Sequence, residues 1–271
     1  MSKKFKDLFN TSKPIIAMVH LPALPGSPLY DSKLGLDHII QVAEKDLISL
    51  QDAGVDAVMF GNENDRPYEL DVNISTTATM AYVIGVLKKD IKVPFGVNVL
   101  WDPISTIALA AATGADFARE IFTGTYASDM GLWNPDAAKA LRYRKSINRD
   151  DLLLFYNISA EFAYSLDQRP INQRAKSTVF SSLPDAILVS GSITGESADL
   201  KDIKSVKDSI KNVPVLANTG VKLSNVKEIL SIVDGAIVGS SLKVDGITWN
   251  QVDPQRTKKF MNEVKKIRKN E

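Results

Sequence analysis

The chain of 271 residues is 44% hydrophobic and 24% charged and contains no cysteine, which excludes thiol catalysis, disulfides and cysteine-ligated metals together. Its 33 Lys and Arg against 32 Asp and Glu leave a net charge of +1, too weak a field to hold a nucleic-acid backbone. No stretch approaches the ~20 apolar residues of a membrane-spanning helix. Residues 1–10 carry charges without an apolar run, so neither a signal peptide nor a membrane anchor is expected, and a cytoplasmic location follows.

Apolar runs of strand length recur at 14–19, 55–60, 93–99, 115–121, 152–158, 185–190, 213–217 and 235–238. They are rich in Val, Ile, Leu and Phe with little polar alternation, as strands covered on both faces should be. Helical patterns separate them. Eight such units predict one (β/α)8 TIM barrel over residues 1–271, with a lead-in at 1–12 and a closing helix at 253–271.

The helix signals fit that reading. Asp102-Pro103, Asn134-Pro135 and Asp253-Pro254 each place a capping side chain before a proline, and Ser224 is expected to cap the helix ahead of Val226 to Ile232. Gly54, Gly114 and Gly235 are expected at helix ends, where the chain turns into the next strand. Asp56 and Asp116 fall at strand starts, on the barrel face associated with stability. The loop at 21–33, stiffened by Pro22, Pro25 and Pro28, is expected to act as a fixed lid over part of the mouth. The basic cluster from Lys258 to Lys269 reads as the exposed face of the last helix.

Function in this fold sits at the strand ends. There the chain offers His20, Glu63, Asn98, Arg119 and Glu161, from the first five strands, as a proton-transfer centre. Arg119 interrupts an apolar strand, so it must pair with a carboxylate or face an anion. Trp101 and Trp133 are expected to cover the rim. Glu63 and Asp65, with Asp102 or Glu120, present carboxylates of the kind Mg2+ favours, although no ligand spacing requires a metal or other cofactor. The last three strands end in glycine and hydroxyl residues. Gly191, Thr194 and Gly195, then Asn218 and Gly220, then Gly239, Ser240 and Ser241 are expected to surround a phosphate with backbone N–H and hydroxyl donors. Lys222 and Lys243 stand close enough in sequence to assist. On this reading Gly239→Val blocks anion approach.

The segments Met18-Val19-His20-Leu21-Pro22-Ala23-Leu24-Pro25-Gly26-Ser27-Pro28, Gly61-Asn62-Glu63-Asn64-Asp65, Ala112-Thr113-Gly114-Ala115-Asp116-Phe117, Ile121-Phe122-Thr123-Gly124 and Gly235-Ala236-Ile237-Val238-Gly239-Ser240-Ser241-Leu242-Lys243 together resemble the BtpA/SgcQ family. The resemblance runs from about Lys13 into the last helix. It implies a TIM barrel of the ribulose-phosphate-binding kind, but no reaction, since the family includes members linked to photosystem I accumulation and others found with sugar-uptake systems. Where many members carry an Asp and then a Lys-His pair after the fifth strand, this chain reads Tyr156-Asn157-Ile158-Ser159-Ala160-Glu161-Phe162.

Two readings follow. In one, a phosphorylated small molecule is held by the last strands while Glu63, His20 or Glu161 moves a proton, as in an isomerase, epimerase or aldolase. In the other, the barrel is a binding or assembly protein without chemistry. Both are compatible with a homo-oligomer.

Overall fold

The computed structural model describes residues 3–269. The outermost residues of the expected lead-in and closing helix, 1–2 and 270–271, lie outside the described residues. The barrel strands are β1 (Ile15–His20), β2 (Ala57–Gly61), β3 (Phe95–Asn98), β4 (Phe117–Glu120), β5 (Leu153–Asn157), β6 (Ala186–Val189), β7 (Val215–Ala217) and β8 (Gly235–Val238). They close in sequence order into one parallel barrel, with β8 pairing β1 through Ile15 opposite Ala236. The helices are α1 (Lys3–Phe9), α2 (Gly35–Ala53), α3 (Ile74–Leu87), α4 (Pro103–Thr113), α5 (Ala137–Ser146), α6 (Ile171–Ser182), α7 (Leu200–Ser209), α8 (Val226–Ile232) and α9 (Pro254–Lys269).

Side-chain alternation along each strand divides the core in two. One set, including Ala17, Val19, Val58, Val97 and Val238, packs under the helices. The other, including Ile16, Met18, Met59, Phe117, Phe155, Leu188, Leu216 and Ile237, fills the barrel itself. Phe117 and Phe155 stack there with centroids 4.9 Å apart. Phe117 fits only because its neighbour is Gly96, where a Cβ would fall 2.1 Å from the ring.

The floor is closed by an element the sequence reading treated as a lead-in. Phe5 and Phe9 sit one turn apart on α1 and pack with Phe155 and Phe117, at centroid distances of 5.8 and 5.9 Å. Both rings are buried.

Four aspartates hold the strand starts in pairs. Asp56 accepts from Ile15 N (2.7 Å), Asp116 from Phe95 N (2.9 Å), Asp185 from Leu154 N (2.9 Å) and Asp234 from Val215 N (2.8 Å). Each also donates its own N–H back to the carbonyl of that same residue. Basic side chains flank three of them, Arg268 at Asp56, Arg144 at Asp185 and Lys207 at Asp234.

Several local expectations are corrected. Asp102 and Asp253 cap α4 and α9 as expected, but α5 is capped by Asp136, whose carboxylate accepts from Lys139 N at 3.0 Å, two residues beyond Asn134. The cap position of α8 is held by Asn225 rather than by Ser224, and without a side-chain capping bond. Gly54 and Gly114 do end α2 and α4 in the left-handed conformation, with φ of 83° and 69°. Gly235 instead begins β8, where a Cβ would meet the Pro14 carbonyl at 2.8 Å. A three-stranded antiparallel sheet, formed by Tyr126–Ser128, Gly131–Trp133 and Ala163–Ser165, rises from the loops after β4 and β5 and was not anticipated. The loop after β1 is fastened to the loop after β2, since Leu24 N donates to Asp65 (2.7 Å) and Asn64 donates to the Leu21 carbonyl (2.6 Å). Among the described residues, no helix is long and apolar enough to cross a membrane.

Candidate functional site

Pleating decides which polar residues reach the barrel mouth. His20 ends β1 and stands in register with Gly61, which in turn neighbours Asn98 on β3. Arg119, two residues after the inward Phe117, points the same way. Glu63 arrives on the loop after β2, Glu161 on the loop after β5, and Asn218 directly after β7. All six are buried.

Four of these groups, Asn98, Arg119, Glu161 and Asn218, form one hydrogen-bonded chain. Arg119 Nη2 contacts Glu161 Oε1 at 3.0 Å, and its Nη1 donates to Asn98 Oδ1 at 2.8 Å. Asn98 Nδ2 donates to Glu120 Oε1 (2.7 Å), which also receives the Trp101 N–H at 2.8 Å. On the other side, Asn218 Nδ2 donates to Glu161 Oε1 (3.0 Å) and to Ser190 Oγ (2.7 Å). Glu63 is less constrained. Its Oε1 accepts from the Thr194 hydroxyl at 3.0 Å.

Three carboxylates around one guanidinium cannot all be ionised cheaply in a buried site. Burial, reinforced by Glu161 and opposed by Arg119, raises the Glu63 carboxyl from 4.5 to about 7. Burial likewise raises Glu120 to about 7, against Arg119 and the donors that hold it. Burial alone would lower the pKa of Arg119, but Glu161, Glu120 and Glu63 outweigh it and push it upward. His20 is driven the opposite way, from 6.5 to about 3, first by burial and then by the positive charge of Lys243. Lys243 is itself buried and paired with Asp46 at 2.6 Å. The site therefore holds a neutral imidazole, a fixed cation and a carboxyl that exchanges its proton near neutral pH.

A cavity of about 50 Å³ lies among His20, Glu63, Arg119, Glu161 and Asn218. The sequence-predicted centre is thus assembled in one place, with Asn98 behind it holding Arg119. His20 Nδ1 and Arg119 Nε have no hydrogen-bond partner among the described residues. Thr194, Gly195, Gly220, Gly239 and Ser240 line the same cavity and also the start of a groove of about 890 Å³ that runs outward to α9. A Cβ on Gly239 would stand 3.1 Å from His20 Cε1, so this glycine faces the cavity.

Other predicted phosphate residues are placed differently. Gly191 gives its N–H to Thr219 Oγ1 (2.8 Å) and lets the Glu196 carbonyl approach, with 2.3 Å to an added Cβ. Ser241 lines the groove while its hydroxyl donates to the Val221 carbonyl at 2.6 Å. Lys222 lines the groove as well, joined by Arg256 and Lys259 from α9. From sequence, Lys259 reads only as part of the basic face of the last helix, and Arg256 carries no role. Only the closed barrel brings the start of α9 beside the end of β8.

The proposed Mg2+ carboxylates have other partners. Asp65 accepts from Leu24 N, and Asp102 accepts from Ile104 N, Ser105 N and Val72 N. Among the described residues, no three His, Asp or Glu side chains gather as metal ligands. Trp101 and Trp133 meet edge to face, with centroids 5.2 Å apart, in an aromatic cluster with Tyr68 and Phe162 beside the mouth.

The barrel has relatives. Over 98% of its length and 97% of the structure's, the chain superposes on GGGPS from Thermoplasma volcanium with a TM-score of 0.60, at 14% identity, a likeness of fold. It is 48% identical over 264 residues to the sgc region protein SgcQ of Escherichia coli, covering 97% of this chain and 98% of that one. The photosystem I biogenesis protein BtpA of Synechocystis is 30% identical, covering 93% of this chain and 88% of the relative. The BtpA family profile matches residues 11–266, nearly the whole barrel, and the chain accordingly belongs to the BtpA family.

Proposed function

We propose that the barrel binds a phosphorylated small metabolite and transfers a proton on it, as isomerases, epimerases and aldolases of this fold class do. The observation that carries the reading is the position of Glu63. Its carboxyl, raised to about 7, shares one buried cavity with Arg119 and with the glycine-lined wall at Gly195, Gly220 and Gly239. A base working near neutral pH beside a fixed cation suits removal of a proton next to a carbonyl.

The phosphate is held by backbone N–H groups and hydroxyls around Gly195, Gly220, Gly239 and Ser240. Glu63, as carboxylate, takes the proton from carbon. The electron pair moves onto the neighbouring oxygen, where Arg119 stabilises the negative charge. The adjacent hydroxyl passes its proton to that oxygen, and Glu63 returns its own proton to the former carbonyl carbon, so the carbonyl moves one position along the substrate. Glu161 and Asn98 position Arg119, and the neutral His20 imidazole, whose N–H is engaged by the Thr248 backbone, offers its other ring nitrogen as an acceptor to a substrate hydroxyl.

Binding is tested by calorimetry of inorganic phosphate and a panel of pentose and hexose phosphates against wild type and Gly239→Val, with circular dichroism confirming the fold. Equal affinity in both removes the phosphate site. Chemistry is tested by NMR of deuterium exchange into whichever sugar phosphate binds, comparing wild type with Glu63→Gln. Exchange that is lost in the variant while binding persists supports the proton-transfer role. Binding without exchange in either protein favours the non-catalytic reading, a ligand-binding or assembly role of the kind named for the cyanobacterial relative.

A further inference from the structure

Thr194, Gly195, Gly220, Gly239 and Ser240 form a ring between two spaces of very different size. On the inner side, about 50 Å³ leads to Glu63 and Arg119. On the outer side, about 890 Å³ opens between the loop after β7, the segment after β8 and α9. The inner space takes a few heavy atoms, whereas the outer has the dimensions of a pocket for a ligand of several hundred daltons. An anion held at the ring has room for a substituent on each side. A simple monoester would leave the groove unused.

The groove wall is chemically specific. Lys222, Arg256 and Lys259 bring three cations from two separate elements, against the carboxylates of Glu196 and Asp245. Arg256 is steadied by donation to the Ser241 carbonyl at 3.3 Å. Beside these cations stand Leu223, Ile247 and Trp249, which stay 39%, 48% and 45% exposed although they are large and apolar. Trp249 is held in place by Arg66, whose guanidinium lies 3.6 Å from the ring centroid. Cations next to a fixed aromatic ring and an aliphatic wall suit a second phosphate followed by a planar group, since Arg and Lys pair with phosphate oxygens and flat rings pack on Trp.

We infer that the ligand belongs to the nucleoside diphosphate ester class, with one phosphate at the ring, the second against Lys222, Arg256 and Lys259, and the planar group along Ile247 and Trp249. The ester's reactive portion then enters the inner cavity. This rests on the proposal that the ring binds an oxyanion.

Calorimetry with inorganic phosphate, pyrophosphate and ADP tests it on wild type, the double variant Arg256→Glu/Lys259→Glu, Trp249→Ala and Gly239→Val, each checked for fold by circular dichroism. Wild type should bind pyrophosphate about tenfold more tightly than phosphate, and ADP about tenfold more tightly again. The charge reversal should erase both gains while phosphate affinity stays, and Trp249→Ala should erase only the gain of ADP over pyrophosphate. If phosphate binds in a Gly239-dependent way but pyrophosphate and ADP bind no better, or their advantage survives charge reversal, the inference is overturned and the oxyanion site stands. If none of the three probes binds, both are overturned.

Discussion

Glu63→Gln separates the charge of this carboxyl from its shape. In the unfolded chain Glu63 ionises near 4.5, and in the folded barrel burial, aided by Glu161, holds it at about 7. Below 4.5 the group is protonated in both states and costs nothing. As pH rises from there to about 7, the unfolded chain releases the proton and the folded one retains it, so stability falls, and above about 7 the loss is complete. At 1.36 kcal/mol per pH unit the separation is worth about 3 kcal/mol, of which about 2 kcal/mol falls between pH 5.5 and pH 8.5. Gln has no such proton and keeps an amide oxygen for the Thr194 hydroxyl. Denaturant unfolding of both proteins at the two pH values should therefore show the variant gaining about 2 kcal/mol on wild type at the higher pH. Glu120, present in both, cancels from the difference. Parallel pH profiles for the two proteins would refute the assignment of a protonated Glu63.

Asp46→Asn should destabilise the protein by about 3–5 kcal/mol in denaturant unfolding, because Lys243 is left buried without its counter-charge; a loss under 1 kcal/mol would mean that Lys243 finds another partner or water. Phe5→Ala should cost about 3 kcal/mol by removing a buried ring from the barrel floor, and an unchanged midpoint would show that α1 does not seal the barrel. His20 should show no titration of its ring protons by NMR between pH 5 and pH 8, since its pKa is pushed down to about 3; a midpoint near 6.5 would contradict the burial and the influence of Lys243.

The barrel was legible because its strands are buried on both faces, which gives uninterrupted apolar runs that few other structures require. The expected runs at 93–99 and 115–121 exceed β3 (Phe95–Asn98) and β4 (Phe117–Glu120), because Val99, Ala115 and Ile121 are buried without joining the ladder. Strand-end chemistry was legible for a similar reason, as Arg119 is conspicuous in an apolar strand. The plug at α1 was hidden by length and charge. Phe5 and Phe9 mark one face of a helix, but among four lysine and aspartate residues of a seven-residue stretch they form no pattern stronger than a solvated start. The cations of the groove escaped because Arg256 and Lys259 differ from the other basic residues of α9 only in what the fold sets beside them. The small antiparallel sheet depends on pairing across the loops after β4 and β5, with Tyr126 opposite both Trp133 and Ser165, and no local signal encodes such a contact.

The paired aspartates at the floor have a consequence at the opposite end of the molecule. Strand side chains alternate with a period of two, so a slip of one residue between β3 and β4 would turn Arg119 out toward the helices and bring its neighbours inward. The Asp116 clamp on Phe95 forbids that slip, and Asp56, Asp185 and Asp234 do the same for the other three strand pairs. The floor thus acts as an index pin for the mouth: it determines which residue of each strand meets the ligand without touching the ligand itself. Loops at the mouth can then change length and chemistry while the inward set keeps its phase. On this account a substitution such as Asp116→Ala disturbs the site through misphased strands, at a distance from every residue that binds or reacts.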